Sequence, residues 1–269
     1  PFILNPRLSK IFSSFSKKGE IKSQERIHKD GINISINSPE CLDEPFWIKE
    51  NSNYFSEELT TKRKYSEATL DNYNKFLNRH CLFQDRSKFI IKNNNNHLRL
   101  EQLCNFFKDD LFIILFRDPV YHSISLQNTH EKICKAQKQD PFILDYMNLI
   151  GHREFGLNQK PFNYGNNRSL TNSIFDSKDK VNYWLISWIN AYSWLYEFAK
   201  TNKTNNLLIV SYEDICEERS KKLDDIFERS NLKKCKKFTL KNKNIINKNN
   251  FDNTLKNKAY EIYKNIRNL

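Results

Sequence analysis

Six consecutive apolar residues, Leu111 to Phe116, run directly into Arg117-Asp118-Pro119, and few folds accommodate that junction. The run is far short of the roughly 20 residues a bilayer-spanning helix needs. A fully apolar strand of this length is the kind buried on both faces of a parallel sheet. Asp118 as a cap, with Pro119 at the first helical position, starts a helix at once. The result is a strand–turn–helix crossover, half of a βαβ unit. Before it, residues 99–108 read as a helix with Leu100, Leu103, Phe106 and Phe107 on one side. After it, residues 178–200 place Val181, Trp184, Leu185, Trp188, Tyr192 and Leu195 at helical spacing, and TNKTNN forms the exit loop. LLIVSY at 207–212 then reads as a second buried strand, followed by a helix over 213–229. This alternation predicts an α/β chain with a parallel sheet.

Other segments give weaker signals. Ser38-Pro39 reads as a turn opening a short helix to Trp47, with Pro39 at an early helical position. Residues 54–79 are expected to be mostly helical, with Tyr54, Leu59, Tyr65, Leu70, Tyr73 and Leu77 as inner positions. Lys88 to Lys92 (KFIIK) is a short strand candidate. Only 38% of the 269 residues are apolar, but 20 Phe, 12 Tyr and 4 Trp supply the bulk for a core.

The net charge of +12 is concentrated at one end, because residues 231–269 hold eleven Lys or Arg against Asp252 and Glu261. A nucleic-acid arm is one reading of such a tail. No aromatic pattern is interleaved with a basic stripe, however, and the Asn/Lys bias recurs at 93–96 and 201–206, so a nucleic-acid partner is not expected. The six cysteines show no paired short spacing, and the six histidines form no zinc-like cluster, so no metal is expected. Gly-x-Ser-x-Gly, the commonest serine-hydrolase signature, is absent. With no basic start followed by an apolar stretch and a cleavage site, the sequence predicts a cytoplasmic chain with reduced thiols.

In open α/β sheets, ligands bind beyond the carboxyl ends of the strands, where helix N-termini favour anions. Arg117 falls at that place, and its guanidinium can hold a phosphate through two parallel bonds. Ser125 lies eight residues on, and its i,i+4 relation to Tyr121 lets both share one face of the helix. Arg117 and Ser125 thus suit a phosphate clamp. The competing reading pairs Arg117 with Asp118 or another carboxylate and leaves Ser125 on a helix surface.

The run KNNNNHLRLEQLCNFFKDDLFIILFRDPVYHSISLQNTH resembles the bacterial sulfotransferase family, in which R-D-P-x5-S follows a buried strand. The resemblance continues through DGINISINSPECLDEPFW at 30–47, DPFILDYMNLIGHREFGLNQKPF at 140–162, the helix of Trp184 and Trp188, and IVSYEDICEE at 209–218. It covers roughly residues 26–232. It implies a P-loop-like three-layer α/β fold, with a central parallel sheet flanked by helices. It also implies a sulfonate donor, 3′-phosphoadenosine-5′-phosphosulfate, whose 3′-phosphate Arg117 and Ser125 would bind. Glu44 matches a carboxylate that takes the proton from the acceptor hydroxyl, and an exposed helix carboxylate is the plainer alternative. Lys92 is the available cation, and His97 is a second candidate for base or acceptor contact. The acceptor would be a hydroxyl or amine on a glycan, a lipid or a small molecule.

One part of the family pattern is missing. Such enzymes use a G-x-x-R-[ST]-G-T loop to cradle the 5′-phosphosulfate with backbone amides. None of the glycines at 19, 31, 151, 156 and 165 sits in such a stretch. The chain is therefore expected to begin after the first strand and its phosphate loop. Residues 1–232 read as an N-terminally incomplete sulfotransferase-like domain, and 233–269 as a basic, partly helical segment. A non-catalytic nucleotide- or partner-binding remnant of the fold is the alternative function.

Overall fold

Parallel strand pairing joins segments far apart in the chain. The computed structural model describes residues 24–25, 33–34, 43–51, 55, 58–83, 85–165, 180–202, 204–217, 221–233 and 250–269. In order, the described elements are β1 (Gln24–Glu25), β2 (Asn33–Ile34), α1 (Glu44–Glu50), β3 (Thr60–Thr61), α2 (Glu67–Phe83), a 3-10 turn (Asn94–Leu98), α3 (Leu100–Phe106) and β4 (Phe112–Phe116). There follow α4 (Pro119–Gln139), α5 (Pro141–Leu149), β5 (Phe162–Asn163), α6 (Lys180–Thr201), β6 (Leu207–Ser211), α7 (Tyr212–Cys216), α8 (Lys221–Arg229) and α9 (Asn253–Arg267). β4 and β6 pair in parallel, Phe112 opposite Leu207 through Phe116 opposite Ser211. β3 and β5 form a second parallel pair, and β1 and β2 an antiparallel one. The chain is a helix-rich α/β protein.

Two compact units divide it. The first comprises Pro1–Ser56, Tyr65–Asn96 and Thr129–Lys160, and the second Glu57–Lys64, His97–Asn128 and Pro161–Leu269. The described core of the first unit is aromatic. Trp47 of α1 is fully buried, 4.3 Å from the Tyr73 ring and 4.9 Å from Tyr65. Phe46 meets Tyr73 and Phe76 of α2 at 5.2 and 5.4 Å. These tilted ring contacts suit the aromatic quadrupole and stiffen a small core.

In the second unit α6 buries Trp184, Leu185, Trp188, Tyr192 and Leu195 at the spacing its sequence predicts, and all of these but Trp184 join Ile189 in one cluster with Ile114 and Phe116 of β4. The Tyr192 hydroxyl donates to the Leu115 carbonyl at 3.0 Å. Asn206, just before β6, donates from Nδ2 to the carbonyls of Cys104 and Phe107, tying the end of α3 to the strand entry. The charged tail contributes to the same core: α9 is capped by Asp252, whose carboxylate accepts from the Leu255 amide at 2.9 Å, and it buries Ala259 and Ile266.

Several sequence expectations need correction. β4 is not buried on both faces. Ile114 and Phe116 are covered, but Ile113 and Leu115 are 44% and 47% exposed, because α6 and α9 pack on one side only. KFIIK forms no strand and joins no described sheet, and Ile90 is 74% exposed. Helix α2 starts only at Glu67, because Thr60–Thr61 pairs with Phe162–Asn163 instead. The expected helix over 213–229 divides into α7 and α8. The helix ending near Trp47 is described from Glu44, with Pro45 in its first turn, and Ser38-Pro39 lies outside the described residues. Among the described residues no helix is long and apolar enough to cross a membrane.

Candidate functional site

At the carboxyl end of β4 the Arg117 guanidinium lies over the Tyr212 ring, 4.8 Å from its centroid, a cation–π contact that orients its planar fork. Asp118 is the cap the sequence predicts: its Oδ1 accepts from the amides of Val120 and Tyr121, both at 2.9 Å. Its Oδ2 accepts from the Tyr260 hydroxyl of α9 at 3.1 Å. Those amides are therefore already satisfied. An anion arriving here would rely on the Arg117 guanidinium and on hydroxyls, rather than on the first amides of α4. Ser125, two turns into α4, is half-buried.

Glu213 ties this end together. Its Oε1 accepts from the Asp118 amide at 2.9 Å, and its Oε2 from the hydroxyls of Ser211 at 2.9 Å and Tyr263 at 3.2 Å. Ser211 in turn caps α7 through the Asp214 amide, and Arg267 pairs with Asp214 at 2.7 Å. The SYED segment thus fixes the turn that carries Arg117. His122 is part of this environment. Burial pushes its pKa down to about 4, the Arg117 charge acts in the same direction, and Glu213 opposes both. A histidine held neutral when folded but charged when unfolded costs stability as pH falls from its ordinary 6.5 towards 4. The second unit is expected to lose stability across that window, and His122→Gln to flatten the slope in pH-dependent denaturation. An unchanged slope would refute the assignment.

The first unit holds a second polar constellation. Asp43 and Glu44, side by side at the start of α1, are 1% and 4% exposed. Asn93 Nδ2 donates to Asp43 Oδ1 and to Glu44 Oε2, both at 2.7 Å. Asp43 Oδ2 also accepts from the Tyr73 hydroxyl at 2.6 Å and from Trp47 Nε1 at 3.3 Å. The next residue, Asn94, donates to Glu154 Oε1 at 2.6 Å, and that oxygen is 2.7 Å from His152 Nδ1. Burial works against charge on the His152 imidazole. The hydrogen bond and charge of Glu154 outweigh it, with Glu44 adding and Lys92 opposing, and the His152 pKa is held above the ordinary value. For Glu154, burial likewise opposes ionisation but the His152 bond prevails, and its pKa is lowered. The two share a short hydrogen bond that becomes an ion pair when the imidazole is protonated, with Glu154 buried and His152 one-third exposed.

Gly151 fits this packing for a steric reason. It has φ +75°, and a Cβ there would stand 2.8 Å from Glu44 Cγ and 2.6 Å from Ile48 Cδ1. Gly151→Ala is therefore expected to cost about 2–4 kcal/mol, combining a left-handed backbone with an overpacked contact. The midpoint of urea unfolding measures it, and a shift below about 1 kcal/mol would show that Glu44 yields freely.

Of the residues singled out from sequence, Arg117 and Ser125 stand on one strand–turn–helix unit. Glu44 is not an exposed helix carboxylate but a buried one, in the same unit as exposed Lys92. His97 belongs to the second unit, its Nδ1 3.1 Å from the Tyr164 hydroxyl and its ring edge-on to Phe162 at 4.5 Å. Sequence reasoning overlooked Asp43, Asn93, His152 and Glu154. The signal available was the HRE run after Gly151, where residues two apart meet through a turn. Among the described residues no group of three or more His, Cys, Asp or Glu could hold a metal ion. Comparison with family models, curated proteins and solved structures finds no match for this chain.

Proposed function

We propose that the chain is a sulfotransferase, moving a sulfonate from 3′-phosphoadenosine-5′-phosphosulfate to a hydroxyl or amine acceptor on a P-loop-like α/β fold. The observation that carries the reading is Arg117, laid on Tyr212 at the carboxyl end of β4 and followed by the capped helix that bears Ser125. Arg117 and Ser125 would hold the 3′-phosphate, the group that separates this donor from ordinary adenine nucleotides. Sulfuryl transfer resembles phosphoryl transfer: attack is in line, and charge spreads over the equatorial oxygens. It needs a proton acceptor beside the incoming hydroxyl and positive charge near the bridging oxygen. The resemblance names Glu44 for the former and Lys92 for the latter, with His97 as an acceptor contact.

A second reading, a nucleotide-binding protein without transfer activity, is favoured by one observation. No glycine of the sequence lies in a phosphate-cradling loop, and Gly151 and Gly156 sit hard against side chains of their own unit. A labelled-donor assay separates the two, run with an oligosaccharide, a glycolipid and a simple alcohol as acceptors. Transfer of label to any of them supports the enzyme. Donor binding without transfer supports the binding protein, and absence of donor binding removes both.

A further inference from the structure

We propose that helix α9 makes the carboxyl end of β4 receptive to an anion: Tyr260 and Tyr263 occupy the carboxylates of Asp118 and Glu213, which would otherwise compete with a phosphate for Arg117. The inference rests on the sulfotransferase reading and names residues that set affinity for the donor's 3′-phosphate. Both tyrosines are positioning residues, acting on the phosphate through the carboxylates they hold. All of these groups belong to the second unit.

Three observations carry the inference. The first is the negative charge gathered around the guanidinium. Asp118 follows Arg117 directly, and Glu213 follows Tyr212, whose ring lies 4.8 Å from the Arg117 guanidinium. His122 stands within electrostatic reach of both Arg117 and Glu213. A carboxylate that turned to the guanidinium would take the two parallel bonds a phosphate needs, and its charge would repel the incoming anion.

The second is the matching face of α9. Positions 260, 263 and 267 are spaced by three and four, so their side chains share one side of the helix. The Tyr260 hydroxyl donates to Asp118 Oδ2 at 3.1 Å, and the Tyr263 hydroxyl donates to Glu213 Oε2 at 3.2 Å. Arg267 supports the arrangement. Its Nη2 pairs with Asp214 Oδ1 at 2.7 Å, and its Nη1 donates to the Tyr263 oxygen at 3.1 Å, which directs that hydroxyl's own proton towards Glu213. Ala259 and Ile266, buried in the core, fix the register of the helix.

The third is how the lone pairs are shared out. Asp118 Oδ1 accepts from the Val120 and Tyr121 amides, and Glu213 Oε1 accepts from the Asp118 amide. The remaining oxygen of each carboxylate is the one that α9 engages. The hydroxyls keep their protons for this purpose. Burial and then the Asp118 charge raise the Tyr260 pKa, and burial raises that of Tyr263 against the opposing bond from Arg267.

The test compares 3′-phosphoadenosine-5′-phosphate with adenosine 5′-phosphate by calorimetry on the wild-type chain and its variants. Tyr263→Phe should weaken binding of the 3′-phosphorylated nucleotide by about 3- to 10-fold, and Tyr260→Phe/Tyr263→Phe by about 10- to 100-fold. Binding of adenosine 5′-phosphate should be unchanged. Adding Glu213→Gln to Tyr263→Phe separates charge from structure. Glutamine cannot hold a guanidinium as a carboxylate does, so affinity should recover towards the wild-type value, whereas a purely structural defect would deepen. Tyr260→Phe, at a position 42% exposed, supplies the readout where Tyr263→Phe fails to fold. Unchanged affinity in both single variants overturns the inference, as does an equal loss for both nucleotides or a further loss on adding Glu213→Gln. A wild type that binds the two nucleotides equally, or binds neither, overturns the sulfotransferase reading itself, and the inference with it.

Discussion

Arg117→Ala is expected to weaken binding of 3′-phosphoadenosine-5′-phosphate by about 1.5–3 kcal/mol, the worth of a hydrogen bond to a charged group. That corresponds to a loss of about 10- to 150-fold in affinity. The size follows from geometry as well as charge, because the guanidinium lies over the Tyr212 ring, 4.8 Å from its centroid, and loses less on ordering than a free side chain. Arg117→Lys keeps the charge but loses the fork and the stacking, and should recover only part of the loss. Ser125→Ala removes a single neutral hydroxyl and should cost about 0.5–1.5 kcal/mol. Titration calorimetry on the three variants gives the ranking. Equal affinities for wild type and Arg117→Ala would remove the phosphate clamp.

Asp43→Ala should be the most damaging single change to the stability of the first unit, at about 3–5 kcal/mol. The carboxylate is 1% exposed and takes hydrogen bonds from Asn93, Tyr73 and Trp47, so alanine strands three donors among buried rings. Asn93 is also the donor to Glu44 Oε2, and losing Asp43 therefore frees the residue that positions Glu44. Asp43→Asn, which keeps the shape and one acceptor, should cost less. Urea unfolding with an unchanged slope measures both variants. A loss under about 1 kcal/mol for the alanine variant would mean that water replaces the carboxylate at no great cost.

Which elements the sequence revealed depended on whether their cause was local. The β4–α4 junction was legible because its whole logic lies in nine consecutive residues: an apolar run, then a cap, then a proline. The α6 helix was legible because large apolar residues recur on one face over six turns. Pairing of Thr60–Thr61 with Phe162–Asn163 was not legible, since two residues carry no periodicity and the partner lies about a hundred positions away. KFIIK has strand composition, but strand formation needs a neighbour, and no described strand pairs with it. The exposed Ile113 and Leu115 were missed because an apolar run records hydrophobicity and not which face is covered.

The sites divide in the same way. The positions of Arg117 and Ser125 on the strand–turn–helix unit could be read from the junction alone, whereas the burial of Glu44 could not. Nor could the polar cluster of the first unit, because Asp43, the Asn93–Asn94 pair and Glu154 come from three separate stretches and meet only through folding. The role of Glu213 was similarly hidden. SYED reads as the end of a strand, and only the structure shows its glutamate bonded to the Asp118 amide. The C-terminal segment reads as low-complexity and basic, yet Asp252 followed by Leu255, Ala259, Ile262 and Ile266 carries both the cap and the spacing of a packed helix.

The most direct test of the account compares 3′-phosphoadenosine-5′-phosphate with adenosine 5′-phosphate, which differ only in the 3′-phosphate, by calorimetry on the wild-type chain. The account predicts that the 3′-phosphorylated nucleotide binds at least about tenfold more tightly, one charge-assisted contact being sufficient for that margin. Equal affinities, or no binding of either nucleotide, would contradict it.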